Sequence, residues 1–80
     1  MKQFRVSVYE GSRSIDYFKV WSVNNISALS KAQQECIRRK GLQDKDVIRC
    51  VSFSGLNVKE RSILVKDGNR NRKYTIQISY

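Results

Sequence analysis

The sequence predicts an α+β fold: one helix packed on one face of a five-stranded, mostly antiparallel sheet, in the order β-β-α-β-β-β. Three observations predict it. Apolar and polar residues alternate with period two in the first and last segments. Only one segment carries an apolar stripe at helical period. The chain has no proline, and its turns are marked instead by Gly11, Asn24-Asn25, Gly41, Gly55 with Asn57, and Gly68 with Asn69 and Asn71. Eighty residues make a single domain, residues 1–80. By surface scaling such a chain buries roughly 60% of its surface, enough for one thin core.

The first strand is Lys2 to Tyr9, where Phe4, Val6 and Val8 alternate with Arg5, Ser7 and Tyr9. A hairpin loop around Gly11 leads to a second strand, Ile15 to Val23, rich in aromatic and β-branched residues. Alternation alone does not choose its inner face, because Phe18 and Val20 lie on one side and Ile15, Tyr17 and Trp21 on the other. Ser22 favours the first side. A small residue there lets the chain turn tightly into a helix with Ala28 and Ala32 on its buried face.

Asn24 or Asn25 can cap that helix, and Ser27 is a further candidate. Ile26, Ala28, Leu29, Ala32, Cys36 and Ile37 form its apolar side. Arg38, Arg39 and Lys40 sit in the last turn, where the helix dipole favours cations, and Gly41 stands at the left-handed cap position. The next segment, Asp46 to Phe53, is apolar enough to read as a central strand. Lys59 to Lys66 and Lys73 to Tyr80 form a closing hairpin across a basic loop, Asp67 to Arg72. One helix cannot cover both faces of such a sheet, so one face is left for solvent or a partner.

Charge directs the functional reading. Sixteen Lys and Arg against seven Asp and Glu leave a net charge of +9, which favours an anionic partner. The absence of His excludes imidazole catalysis and His-ligated metal. Two cysteines do not make a zinc site, the carboxylates are scattered, and no phosphate-cradling loop is present. The expectation is a protein without enzymatic activity, metal or other cofactor. No apolar run approaches the ~20 residues of a membrane span, so no membrane partner is expected. Strand-like sequence already at Phe4 leaves no room for a signal peptide. The expected compartment is the cytoplasm, of a host cell if the protein is phage-encoded. There Cys36 and Cys50 are expected to be reduced core thiols.

Three groups of residues are candidates for binding. If Phe4, Val6, Val8, Phe18 and Val20 face the helix, the open face shows Arg5, Tyr9, Tyr17, Lys19 and Trp21. Cations interleaved with aromatics on a sheet suit base stacking and suit a protein hot spot equally. Their alternative role is core beneath the closing hairpin. In that hairpin, Lys66, Arg70, Arg72 and Lys73 can reach phosphates or acidic protein surfaces, or they can simply keep the loop soluble. Arg38, Arg39 and Lys40 either stabilise the helix end or extend the basic surface. The aromatic signature of RRM domains, the GxxG loop of KH domains and the paired helices of a helix-turn-helix are all missing, which argues against sequence-specific duplex reading.

The stretch Val20-Trp21-Ser22-Val23-Asn24-Asn25-Ile26-Ser27-Ala28-Leu29-Ser30-Lys31-Ala32, followed by Val47-Ile48-Arg49-Cys50-Val51 and a closing hairpin, resembles small phage-encoded anti-CRISPR proteins. The resemblance covers Val20 to Tyr80 as a pattern of strand, capped helix, strand and hairpin. It implies an inhibitor that docks on an RNA-guided surveillance complex and obstructs target DNA. This chain differs in its additional N-terminal strand and its basic charge, and no family binding residue maps onto it. Two functions follow as expectations. One is docking on a nucleic-acid-handling protein or ribonucleoprotein complex so as to inhibit it. The other is direct, sequence-nonspecific binding of DNA or RNA.

Overall fold

A computed structural model describes residues 1–52 and 59–79. Its elements are β1 (Lys2–Glu10), β2 (Arg13–Ser22), α1 (Asn25–Arg39), a short 3-10 turn (Asp44–Asp46), β3 (Val47–Ser52), β4 (Glu60–Asp67) and β5 (Arg70–Ser79). The five strands form one sheet in the order β2-β1-β5-β4-β3, and every neighbouring pair is antiparallel. This is the α+β architecture the sequence predicts. The readings at Phe53, Gly55, Asn57 and Tyr80 lie outside the described residues.

Helix α1 forms where its caps place it. The Asn24 side chain accepts a hydrogen bond from the Ser27 N–H at 2.8 Å, satisfying a donor that the first turn leaves unpaired. At the other end the Leu42 N–H bonds the Ile37 carbonyl at 2.9 Å and the Gly41 N–H bonds the Arg38 carbonyl at 3.0 Å. Gly41 has φ +72°, the left-handed conformation that this paired-bond cap requires. Leu42 then packs against the core beneath the helix. The buried stripe is Ala28, Leu29, Ala32, Cys36 and Ile37. Ile26, expected on that stripe, is 62% exposed; at helical period it lies at the margin of the face that Ala28, Leu29, Ala32 and Cys36 centre on the sheet.

The core lies between this stripe and one face of the sheet, with Phe4, Val6, Val8, Phe18, Ile63, Val65, Tyr74, Ile76 and Ile78 as its floor. Phe18 and Ser22 are buried while Tyr17 and Trp21 are 54% and 55% exposed, so β2 has the phase that Ser22 favoured. In β2 a bulge leaves Ile15 as an extra residue between the pairs Val8–Asp16 and Tyr9–Ser14. The bulge allows Ile15 to pack against the core while Asp16 reaches Arg39 on the helix at 3.2 Å.

Two expectations are corrected. β3 is an edge strand, not a central one. The two hairpins are tight and β1 pairs with β5, so β2, β1, β5 and β4 already form a continuous ribbon and β3 adds at an edge of it, beside β4. Helix α1 lies over β2, β1 and β5. Towards β3 it extends the Gln33 side chain, which accepts from the Cys50 thiol at 3.5 Å, and this does not cover the strand. Ile48 and Val51 are therefore 54% and 49% exposed, and only Val47 packs on the core. Cys50 is correspondingly exposed, while Cys36 is buried; both are free thiols. Burial pushes the Cys36 thiol up to about 11, so it stays protonated and unreactive at neutral pH. In the native protein Cys50 is expected to react promptly with a thiol reagent, and Cys36 only after unfolding. Peptide mapping of the labelled protein distinguishes this from slow labelling at both sites.

The basic loop is also shorter than expected. Asp67 pairs with Arg70, which leaves a two-residue turn, Gly68-Asn69. Gly68 carries the positive φ, 64°, that a type II′ hairpin demands at its first central position. Arg70, Asn71, Arg72 and Lys73 consequently belong to β5, and alternation sends their side chains to opposite faces.

Candidate nucleic-acid interface

Strand register lays out the open face row by row. Trp21 lies opposite Gln3 and Lys19 opposite Arg5, with Ser79 next to Arg5. The following row is Tyr17, Ser7, Gln77 and Glu60. Tyr9, Thr75, Ser62 and Val51 make the next, and Lys73, Leu64 and Arg49 the one after. Lys66 closes the face beside Asn71. The middle of the face is thus a floor of small and amide side chains. An aromatic and basic corner flanks it at one end and a second basic corner at the other.

The arginine and lysine groups expected from sequence separate by face. Arg5, Tyr9, Tyr17, Lys19, Trp21, Lys66 and Lys73 share the open side. Arg38, Arg39, Lys40 and Arg72 lie on the helix side and have partners there. Arg38 and Arg39 both donate to Glu35, at 2.6 Å and 2.8 Å. These bonds, from Arg38 first and then Arg39, hold the Glu35 carboxyl at about 2, below its ordinary 4.5. Their stabilising effect is complete above the ordinary carboxylate range and is lost as pH falls towards 2. The Arg39 guanidinium also sits 4.5 Å from the centre of the Phe18 ring, and the Lys40 ammonium 5.6 Å from that of Tyr74. Arg72 lies 3.5 Å from Glu10 and 3.8 Å from Asp67. These cations serve the fold. Arg70 stands exposed at the hairpin tip and joins neither corner. The expected cluster of Arg70, Arg72 and Lys73 is therefore not one surface, because in a strand successive side chains point to opposite faces.

The open-face cations have no such partners. Among the described residues Arg5, Lys19, Arg49, Lys66 and Lys73 form no ion pair. The single carboxylate side chain on that face among the described residues, Glu60, accepts a hydrogen bond from Gln77 at 2.7 Å. Arg5 and Lys19 stand directly opposite each other, and like charges so placed destabilise a sheet. The exposed rings of Tyr17 and Trp21 lie on either side of Lys19 along β2.

Arg49, Val51 and Leu64 were not singled out from sequence. With Lys73, Ser62 and Glu60 they line a groove of about 340 Å³ on the open face. The signal for Leu64 was the period-two phase of β4, where Ile63 and Val65 face inward. Arg49 needed the register of β3, which a bulge after Val47 shifts.

The outer edge of β2 is partly blocked. The Tyr17 N–H bonds the Asp16 side chain at 2.8 Å, and Lys31 from the helix donates to the Trp21 carbonyl at 2.6 Å. Such capping disfavours strand addition at that edge. Among the described residues no helix is long and apolar enough to cross a membrane. Comparison with protein-family models, curated proteins and solved structures gave no match, so the functional reading rests on this geometry.

Proposed function

We propose that the protein is a non-catalytic binding module that engages nucleic acid through the open face of its sheet. The observation that supports this reading is the segregation of charge. Glu10, Asp16, Glu35 and Asp67 are engaged by arginines on the helix side, whereas among the described residues five cations on the open face have one carboxylate side chain among them. A surface that keeps an unrelieved Arg5–Lys19 pair gains from phosphates what it loses in the free state. Tyr17 and Trp21 add ring faces on which bases stack.

The exposed aromatic pair also favours a second reading, docking on a nucleic-acid-handling complex. Laid over the nucleic acid that a ribonucleoprotein holds open, the same face obstructs it, which is the inhibition that the resemblance to anti-CRISPR proteins implies.

Titration of fluorescent oligonucleotides at two salt concentrations tests the proposal. The Arg5→Ala/Lys19→Ala variant is expected to weaken binding and to flatten the salt slope by roughly 1.4 to 1.8 units, about 0.7 on a single strand or 0.9 on a duplex for each phosphate no longer neutralised. Arg38→Ala, on the helix side, is expected to leave the slope nearly unchanged. Equal effects of both variants argue against an open-face site, and no binding to any oligonucleotide leaves only the protein-docking reading.

A further inference from the structure

We infer that the ligand is a single strand laid diagonally across the open face, from Trp21 on β2 to the groove around Leu64 on β4. This rests on the nucleic-acid reading above. Tyr17 and Trp21 are four residues apart on one strand, about 13–14 Å. That separation is too wide for adjacent stacked bases and suits bases splayed on a stretched backbone. Lys19 stands between the rings, with Arg5 opposite it, where the intervening phosphates run. A duplex hides its base faces within its own stack, so two exposed rings flush with a sheet offer it nothing.

The far end repeats this chemistry in another form. Leu64 lies between Lys73 and Arg49 in a single row, and Val51 is 49% exposed beside it. The groove there has an apolar floor for a base and a cation on either side for phosphates. Between the two ends Ser7, Gln77, Thr75 and Ser62 supply short polar side chains that let a backbone lie close. Four rows along the strands and three strands across make a diagonal of about 30 Å. A stretched strand of roughly five to seven nucleotides spans it, within the range of β-sheet single-strand binders.

Oligothymidylates of increasing length and a matched duplex, followed by anisotropy at low salt, test this track. Affinity is expected to climb steeply up to about six nucleotides and then flatten, with the duplex at least tenfold weaker. The Arg49→Ala/Lys73→Ala variant is expected to weaken an octamer tenfold or more while leaving a trimer, seated at the Trp21 end, within about twofold. Duplex binding as tight as the octamer, or equal losses for trimer and octamer, overturns the track while leaving nucleic-acid binding intact. Absence of binding to every oligonucleotide overturns the track together with the reading on which it rests.

Discussion

Phe4→Ala is expected to destabilise the protein by about 3–5 kcal/mol. The ring is 1% exposed, sits on β1 next to Val20 of β2 and forms part of the floor beneath α1. Truncation removes its transfer free energy and leaves a cavity, which neighbouring strands cannot close without losing their ladder. An 80-residue domain has a total stability of only about 4–12 kcal/mol, so the variant stands near the unfolding threshold. Urea denaturation is the check: the midpoint is expected to fall steeply at constant slope. A loss under 1 kcal/mol shows that the core does not depend on the packing of β1 beneath the helix. No comparable loss is expected on the open face, where side chains are supported from one side only.

Trp21→Ala is expected to show the opposite balance. The indole is 55% exposed, so its removal is expected to cost under about 1 kcal/mol of stability. Stacking of a base on such a ring is worth about 1–3 kcal/mol, which corresponds to a loss in affinity of roughly 5- to 150-fold. Trp21 is the only tryptophan, so fluorescence reports this one site. Red-shifted emission, ready quenching by acrylamide in the free protein and protection on adding an oligonucleotide are expected. Unchanged affinity of the variant, together with no protection of the indole, removes the β2 corner from the binding site. An affinity loss towards a protein complex but not towards oligonucleotides assigns Trp21 to a protein pocket instead.

The local elements were legible because short-range chemistry specifies them. Phe4, Val6 and Val8 at period two define β1. Asn24 and Gly41 define the ends of α1 through backbone groups that must be capped. Ser22 identified the inner face of β2, and hence the exposure of Tyr17 and Trp21. From that phase the aromatic corner with Lys19 and Arg5 also followed. The same local patterns misjudged whatever depended on neighbours. Val47-Ile48-Arg49-Cys50-Val51 is apolar enough for a central strand, yet pairing of β1 with β5 leaves it at the edge, outside the cover of α1.

Charge shows the division most clearly. Residue content and local pattern established that the protein is strongly basic and that a single helix must leave one sheet face uncovered. They did not establish which cations remain available. Helical spacing alone brings Arg38 and Arg39 to Glu35, whereas Asp16 meets Arg39, and Glu10 and Asp67 meet Arg72, only once the bulge at Ile15 and the tight turn at Gly68 have placed them. Arg49 and Lys73 flank Leu64 because the register of β3 and β5 on β4 places all three in one row. Composition counts charges without position. Helical spacing encodes the Glu35 pairs, but the partners of the strand cations and the face each one takes are set by strand pairing, so it took the folded chain to separate the cations that hold the fold from those left facing a ligand.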